Sequence, residues 1–140
     1  GGKEMLEAAK RGLEKGAKSA GYDAPTLLAI TVLTSLPADD TAFKERLLLA
    51  EEVGCDIVCS AHELQLKNSI APGVRALTPG IRLSGQDAGD QSRVATPTSA
   101  IKDGSNWLVI ARAVTAAENP REAAKEIYEQ TASALETLNT

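Results

Sequence analysis

Apolar residues recur along the chain in two alternating patterns, which predict helices and strands in turn. From about residue 3 to 19 the apolar side chains share one helical face and most charged residues lie on the other; the apolar positions are Met5, Leu6, Ala9 and Leu13. The next run, Leu27–Leu33, is apolar except for Thr31. Such a run is typical of a strand that is buried on both faces of a parallel sheet.

The same alternation continues to the end of the chain. It predicts helices over about 40–53, from 61 for about ten residues, over 97–103 and over 120–138, and strands over 56–60, 74–77 and 107–110. Pro97 and Pro120 both stand where a proline is favoured, at the first position of a helix. The predicted order is therefore α-β-α-β-α-β-α-β-α, an α/β fold with parallel strands and right-handed crossovers.

Four parallel strands fit two architectures. One is a small doubly wound sheet, and the other is half of a (β/α)8 barrel with helices on the outside only. Periodicity does not separate them, but 140 residues are short of the roughly 250 that a closed barrel typically needs. We treat residues 1–140 as one unit, with an opening helix and βα units that start near residues 26, 55, 74 and 106.

Composition narrows the classes of function. A formal charge of −4 argues against general binding to nucleic acid or to an anionic membrane. The longest apolar run is too short to cross a bilayer, and no signal peptide is evident. Two cysteines do not make a disulfide framework, so we expect a reducing cytoplasm.

Polar residues that follow the predicted strands suggest a ligand site. In parallel α/β folds, ligands bind at the carboxyl ends of the strands. There the chain carries two arginines, a glutamine and hydroxyl groups, with few acids: Thr34, Arg82, Gln91 and Arg112. Guanidinium groups bind phosphate bidentately and glutamine both donates and accepts, so this set fits a phosphorylated ligand. A surface salt bridge is an equally common role for an arginine just after a strand.

Other chemistries are less well supported. Cys55, Cys59 and His62 are spaced loosely like metal ligands, but they run from a strand into a loop and a fourth ligand is missing. Cys59 is better explained as a buried thiol. Ser60 and His62 have no acidic third member, and no glycine-rich dinucleotide fingerprint follows the first strand.

Five segments resemble, in order, successive blocks of bacterial orotidine 5'-phosphate decarboxylases. They are Leu28–Ser35, Val58–Glu63, Thr78–Arg82, Ala88–Pro97 and Leu108–Arg112. The opening Gly1–Met5 is similar to the start of the fourth helix of that family. The resemblance covers nearly the whole chain, and it implies the C-terminal half of a barrel, from the fourth helix through the eighth.

The resemblance also implies a role for individual residues. Gln91 and Arg112 would bind the substrate phosphate, supported by Arg82, while Thr34 would contact the pyrimidine edge and Pro79 would pack on the base. The family converts orotidine monophosphate to uridine monophosphate and carbon dioxide without a metal or an organic cofactor. The loop between Arg82 and Gln91 would act as its lid.

The sequence departs from the family in three ways. The catalytic Asp-x-Lys-x-x-Asp array is absent, so we expect no decarboxylation by this chain alone. The connection between Ser35 and Val53 is shorter than in the family, and Ala111 replaces the usual glycine before Arg112. A methyl group there would weaken binding if the backbone must approach the phosphate closely.

Three hypotheses remain. The first is a decarboxylase half that needs its complementary N-terminal half. The second is a non-catalytic phosphate-binding half-barrel, engineered or excised. The third is another phosphate-binding barrel enzyme, such as a sugar-phosphate aldolase or epimerase relative. The Pro79–Arg82 block disfavours the third. Because a half-barrel has two unpaired strand edges and an uncovered apolar face, we expect a homo-oligomer or the complementary half as partner.

Overall fold

A computed structural model describes residues 1–33, 35–85 and 93–139 of the chain. Its helices are α1 (Lys3–Ala20), α2 (Asp40–Val53), α3 (Leu64–Ile70), α4 (Pro97–Lys102), α5 (Arg112–Thr115) and α6 (Pro120–Leu138). Its strands are β1 (Leu28–Ile30), β2 (Asp56–Val58), β3 (Ala76–Thr78) and β4 (Trp107–Leu108). The alternation predicted from the sequence is present, with the short α5 and a 3-10 turn at Ala61–Glu63 in addition.

The four strands form one parallel sheet in the order β1-β2-β3-β4. Leu28 pairs with Asp56, Ile57 with Ala76, and Thr78 with Leu108. Since sequential strands are neighbours, every crossover goes the same way along the sheet. This is the order of strands in a barrel segment, and it differs from a doubly wound sheet, whose order reverses at a switch point.

The main apolar core lies between the sheet and the helices α2 and α3. Phe43 and Leu47 of α2, Ile57 of β2 and Leu64 of α3 are fully buried there. A second cluster joins Leu83 to α5 and α6 through Ala113, Ala123 and Ile127. Thus α2 and α3 cover one face of the sheet, and the second cluster attaches the chain after β3 to the last two helices.

The amino ends of the strands are held by polar contacts. Arg75 donates to Asp56 from its backbone N–H (2.9 Å), Nε (3.0 Å) and Nη2 (2.7 Å), and its guanidinium lies 4.7 Å from the ring centroid of Trp107. On α1, Lys10 Nζ donates to the carbonyls of Val53 (2.9 Å) and Gly54 (3.0 Å), where α2 ends. These contacts join the amino ends of three strands and dock α1 against α2.

The first strand is shorter and more exposed than its sequence predicted. We expected a strand buried on both faces over Leu27–Leu33, but β1 ends at Ile30, whose exposed fraction is 61%. The N–H of Thr31 still donates to the carbonyl of Val58 on β2 (3.2 Å), but the carbonyl of Thr31 accepts a hydrogen bond from Arg46. Among the described residues β1 pairs only with β2, so its other edge and part of its inner face are uncovered.

Adjacent leucines on α2 test how far the core depends on packing. Leu47 is fully buried and Leu48 is about half exposed. We expect Leu47→Ala to lower the free energy of unfolding by about 2–5 kcal/mol, because it removes buried methyl groups and leaves a cavity. Leu48→Ala should change it by less than about 0.5 kcal/mol. Urea unfolding followed by circular dichroism measures both, and equal losses would contradict this description of the core.

Candidate functional site

The carboxyl ends of the four strands meet at one edge of the sheet. The residues that follow them are Thr31–Leu33 after β1, Cys59–Glu63 after β2, Pro79–Leu83 after β3 and Val109–Arg112 after β4. The backbone N–H of Val109 donates to the carbonyl of Thr78 (2.9 Å), so the loops after β3 and β4 leave the sheet side by side. This edge is where the sequence predicted the ligand site.

Three of the predicted site residues lie among the described residues. Pro79 is half-buried directly after β3, and Arg82 is buried with its Nη1 donating to the carbonyl of Ile81 (2.8 Å). Arg112 is exposed at the first position of α5, four residues after β4. Thr34 and Gln91 lie outside the described residues. The structure thus brings Pro79, Arg82 and Arg112 onto neighbouring loops.

Backbone hydrogen bonds close the base of the long connection between β3 and α4. Arg82 N–H donates to the carbonyl of Ala95 (2.9 Å), and Ala95 N–H donates to the carbonyl of Gly80 (3.1 Å). On one side of this bridge Leu83 packs against α5 and α6. On the other side Thr96 caps α4 by accepting from the N–H of Ser99 (3.1 Å). The connection therefore begins and ends at fixed points.

A buried ion pair lies at the same edge and was missed by the sequence analysis. The Glu63 side chain is 1% exposed and the Arg93 side chain 10% exposed, and Arg93 Nη1 donates to Glu63 Oε1. Glu63 Oε2 accepts from the backbone N–H (2.8 Å) and the hydroxyl (2.7 Å) of Ser60. The Ser-x-x-Glu spacing of a capping box was the available signal for Glu63. The partner of Glu63 is distant in sequence, and no local pattern identifies it.

A cleft of about 730 Å³ opens beside this edge, between the loop after β1 and the start of α2. Its lining includes Asp39, Arg46 and His62. His62 belongs to the 3-10 turn after β2 and is exposed. Across the described residues, no group of three or more His, Cys, Asp or Glu side chains is arranged to hold a metal ion. No described helix is long and apolar enough to span a membrane.

Both cysteines are free, buried thiols. Cys59, directly after β2, has its pKa raised to about 12, first by burial and then by the negative charge of Glu63. Burial also raises the pKa of Cys55. A thiol with such a pKa is a poor nucleophile at neutral pH, so Cys59 has the structural role that its position in the sequence predicted.

Alkaline pH should reveal the buried Cys59 thiol. Below pH 9 the thiol is protonated in both the folded and the unfolded chain, so it contributes no pH dependence. Between pH 9 and about 12 only the unfolded chain loses this proton, so the free energy of unfolding should fall by up to about 1.4 kcal/mol per pH unit. Urea unfolding of the wild type and Cys59→Ala measures the difference. Parallel pH dependences for the two chains would contradict the prediction.

The comparisons with known proteins agree on one family. The model of the "Orotidine 5'-phosphate decarboxylase / HUMPS family" matches residues 1–127. The chain is 45% identical over 142 aligned positions to the orotidine 5'-phosphate decarboxylase of Shewanella sediminis, covering 92% of this chain and 59% of that protein. It is also 45% identical over 140 positions to the enzyme of Psychromonas ingrahamii, covering 91% and 58%.

A solved structure shows the same arrangement. The orotidine 5'-phosphate decarboxylase from Lactobacillus acidophilus superposes with a TM-score of 0.74 at 30% identity, covering 93% of this chain and 59% of that one. The chain thus spans about three fifths of the length of the relatives it matches. Together with the strand order, this confirms the predicted fold class, half of a (β/α)8 barrel.

Proposed function

Because this chain belongs to the orotidine 5'-phosphate decarboxylase / HUMPS family, we propose that it is the phosphate- and pyrimidine-binding part of an orotidine 5'-phosphate decarboxylase. The complete enzyme would convert orotidine monophosphate to uridine monophosphate and carbon dioxide, a step of pyrimidine biosynthesis. The part represented here would be the C-terminal half of the barrel. Both cysteines are free thiols, which supports a reducing, cytoplasmic location.

One observation carries this proposal. The loop with Pro79 and Arg82 and the loop with Arg112 leave adjacent parallel strands at the same edge, through the pairing of Thr78 with Leu108. In (β/α)8 barrels the phosphate site is frequently formed by the loops after the seventh and eighth strands. If β3 and β4 correspond to those strands, Arg112 and Gln91 bind the phosphate, Arg82 supports them, and Pro79 and Thr34 contact the pyrimidine.

The chemical step would need residues that this chain does not carry. Protonation of the carbanion formed by loss of carbon dioxide requires an acid beside the reacting carbon, and the sequence has no Asp-x-Lys-x-x-Asp array. Binding energy from the phosphate would still be available to a complete site, where it would stabilise the transition state at the distant pyrimidine. We therefore propose that this chain binds nucleoside monophosphates and does not decarboxylate alone.

Titration with uridine monophosphate tests the binding site. We expect the wild-type chain to bind measurably by calorimetry, and both Arg112→Ala and Gln91→Ala to weaken binding by about tenfold or more, since each removes a hydrogen bond to a charged group. Arg11→Ala is the matched control, because Arg11 is an exposed arginine on α1 whose ion-pair partner is Glu7. Absence of wild-type binding at millimolar ligand would contradict a site carried by this chain alone.

We also propose that the open edge of β1 is covered by a second half-barrel, either another copy or the complementary half. A groove of about 480 Å³ runs along this edge, and its apolar lining includes Met5, Leu6, Leu28, Ile30 and Leu49. Unpaired strand edges with apolar side chains associate readily. Closing a barrel requires a partner at this edge and at β4.

Sedimentation tests this association. At micromolar concentration the chain should sediment as a dimer or larger species, and Ile30→Lys should shift it toward the monomer. Ile30 is 61% exposed, so its replacement costs the folded chain little. Leu48→Lys, at a residue 51% exposed on α2, should leave the assembly unchanged. A monomeric wild type that also stays monomeric when an N-terminal half-barrel of a relative is added would contradict the proposal.

A further inference from the structure

Among the described residues, Glu63 carries the most buried charged group at the carboxyl edge of the sheet. Burial of a carboxylate is unfavourable unless its oxygens accept hydrogen bonds, preferably from a cation. Oε2 accepts two from Ser60 and Oε1 accepts one from Arg93. Two of these donors lie within the turn after β2, whereas Arg93 comes from the far end of the connection between β3 and α4.

The guanidinium of Arg93 contacts a third loop as well. Its Nη2 donates to the carbonyl of Leu33 (2.8 Å), after β1. The same carbonyl accepts from the N–H of Leu36 (3.0 Å), within the turn that follows. Two residues after Arg93, Ala95 forms the bridge to the chain after β3. One side chain therefore joins the loops that follow β1, β2 and β3.

The Arg93–Glu63 pair lies at the opposite edge of the sheet from the Arg75–Asp56 pair. Asp56 and Arg75 lie at the amino edge, and the Arg75 side chain is 51% exposed. The Arg93–Glu63 pair is buried, at the edge where the ligand residues lie. Because buried ion pairs can often be replaced by apolar side chains without loss of stability, folding alone does not account for a buried charge at this position.

We propose that Arg93 is a positioning residue for ligand binding: paired with Glu63, it holds the loops after β1 and β3 at a fixed separation and so positions Pro79 and Arg82. This inference rests on the proposed nucleoside monophosphate site. Ala95, two residues after Arg93, exchanges backbone hydrogen bonds with Gly80 and Arg82. A peptide chain extends by at most roughly 3.6 Å per residue, so fixing Arg93 restricts where Ala95 and the chain bonded to it after β3 can lie.

Arg93→Gln tests the proposal with two readouts on the full chain. We expect it to weaken binding of uridine monophosphate by about tenfold or more, and to speed hydrogen exchange of the Ser60 and Leu36 amides by a similar factor, measured by NMR. Arg93→Lys keeps the charge but not both hydrogen bonds, so it should fall between the wild type and Arg93→Gln. It also replaces Arg93→Gln if that chain does not fold.

Two further variants serve as controls. Arg75→Gln breaks the ion pair at the amino edge and should leave both the affinity and the two exchange rates within about twofold. Glu63→Gln should reproduce the effect of Arg93→Gln, and the double variant should be no worse than either single one, because all three lose the same interaction.

The outcomes separate this inference from the proposed function. Normal affinity of Arg93→Gln for uridine monophosphate would overturn the positioning role. Acceleration of exchange by the same factor at all amides would also overturn it, because that result reports only a loss of global stability. If the wild type does not bind uridine monophosphate, the proposed function of this chain fails. The exchange rates of Ser60 and Leu36 then decide alone whether Arg93 couples the three loops.

Discussion

Parallel pairing of four consecutive strands is the constraint on which the rest of this structure depends. The pairs Leu28–Asp56, Ile57–Ala76 and Thr78–Leu108 set the strand ends level with one another, so residues far apart in sequence share one edge of the sheet. The buried faces of α2 and α3 hold this arrangement through Phe43 and Leu47. A slip of one residue in any pair would exchange the two faces of a strand and separate the loops that form the candidate site.

The two edges of the sheet are stabilised in different ways. At the amino edge, Arg75 combines a partly exposed ion pair with Asp56 and a stacked contact with Trp107. At the carboxyl edge, a buried carboxylate and a buried guanidinium connect three loops, and two backbone hydrogen bonds close the base of the long connection before α4. This division fits barrels in general, where the amino side serves stability and the carboxyl side carries the ligand site.

The family of this chain, and the share of its relatives' length that it spans, lead us to propose that it binds the ligand but lacks the residues of the chemical step. The chain spans about three fifths of its relatives' length, and its sequence includes the arginines, the glutamine and the proline proposed to bind the ligand, but not the lysine–aspartate array of the chemistry. Binding and catalysis would then be separable by experiment. The exposed Ile30 on β1 lies at the edge proposed to meet a second half-barrel, because an apolar side chain next to an unpaired backbone gains from being covered.

Local signals in the sequence determined the elements and the class of fold. Apolar periodicity predicted α1 and α2 within a residue of their observed ends, and Pro97 and Pro120 marked the starts of α4 and α6, because these features depend on neighbours along the chain. Blocks such as Thr78–Arg82 identified the family, and the family led us to expect half a barrel. The tertiary structure decided what depends on distant residues. Beyond Ile30 the carbonyl of Thr31 bonds to Arg46 of α2, and the described chain places no strand on the other side of β1. Glu63 pairs with Arg93, thirty residues further along the chain. No local pattern predicts this contact, because only the packing of three strands brings the two side chains together.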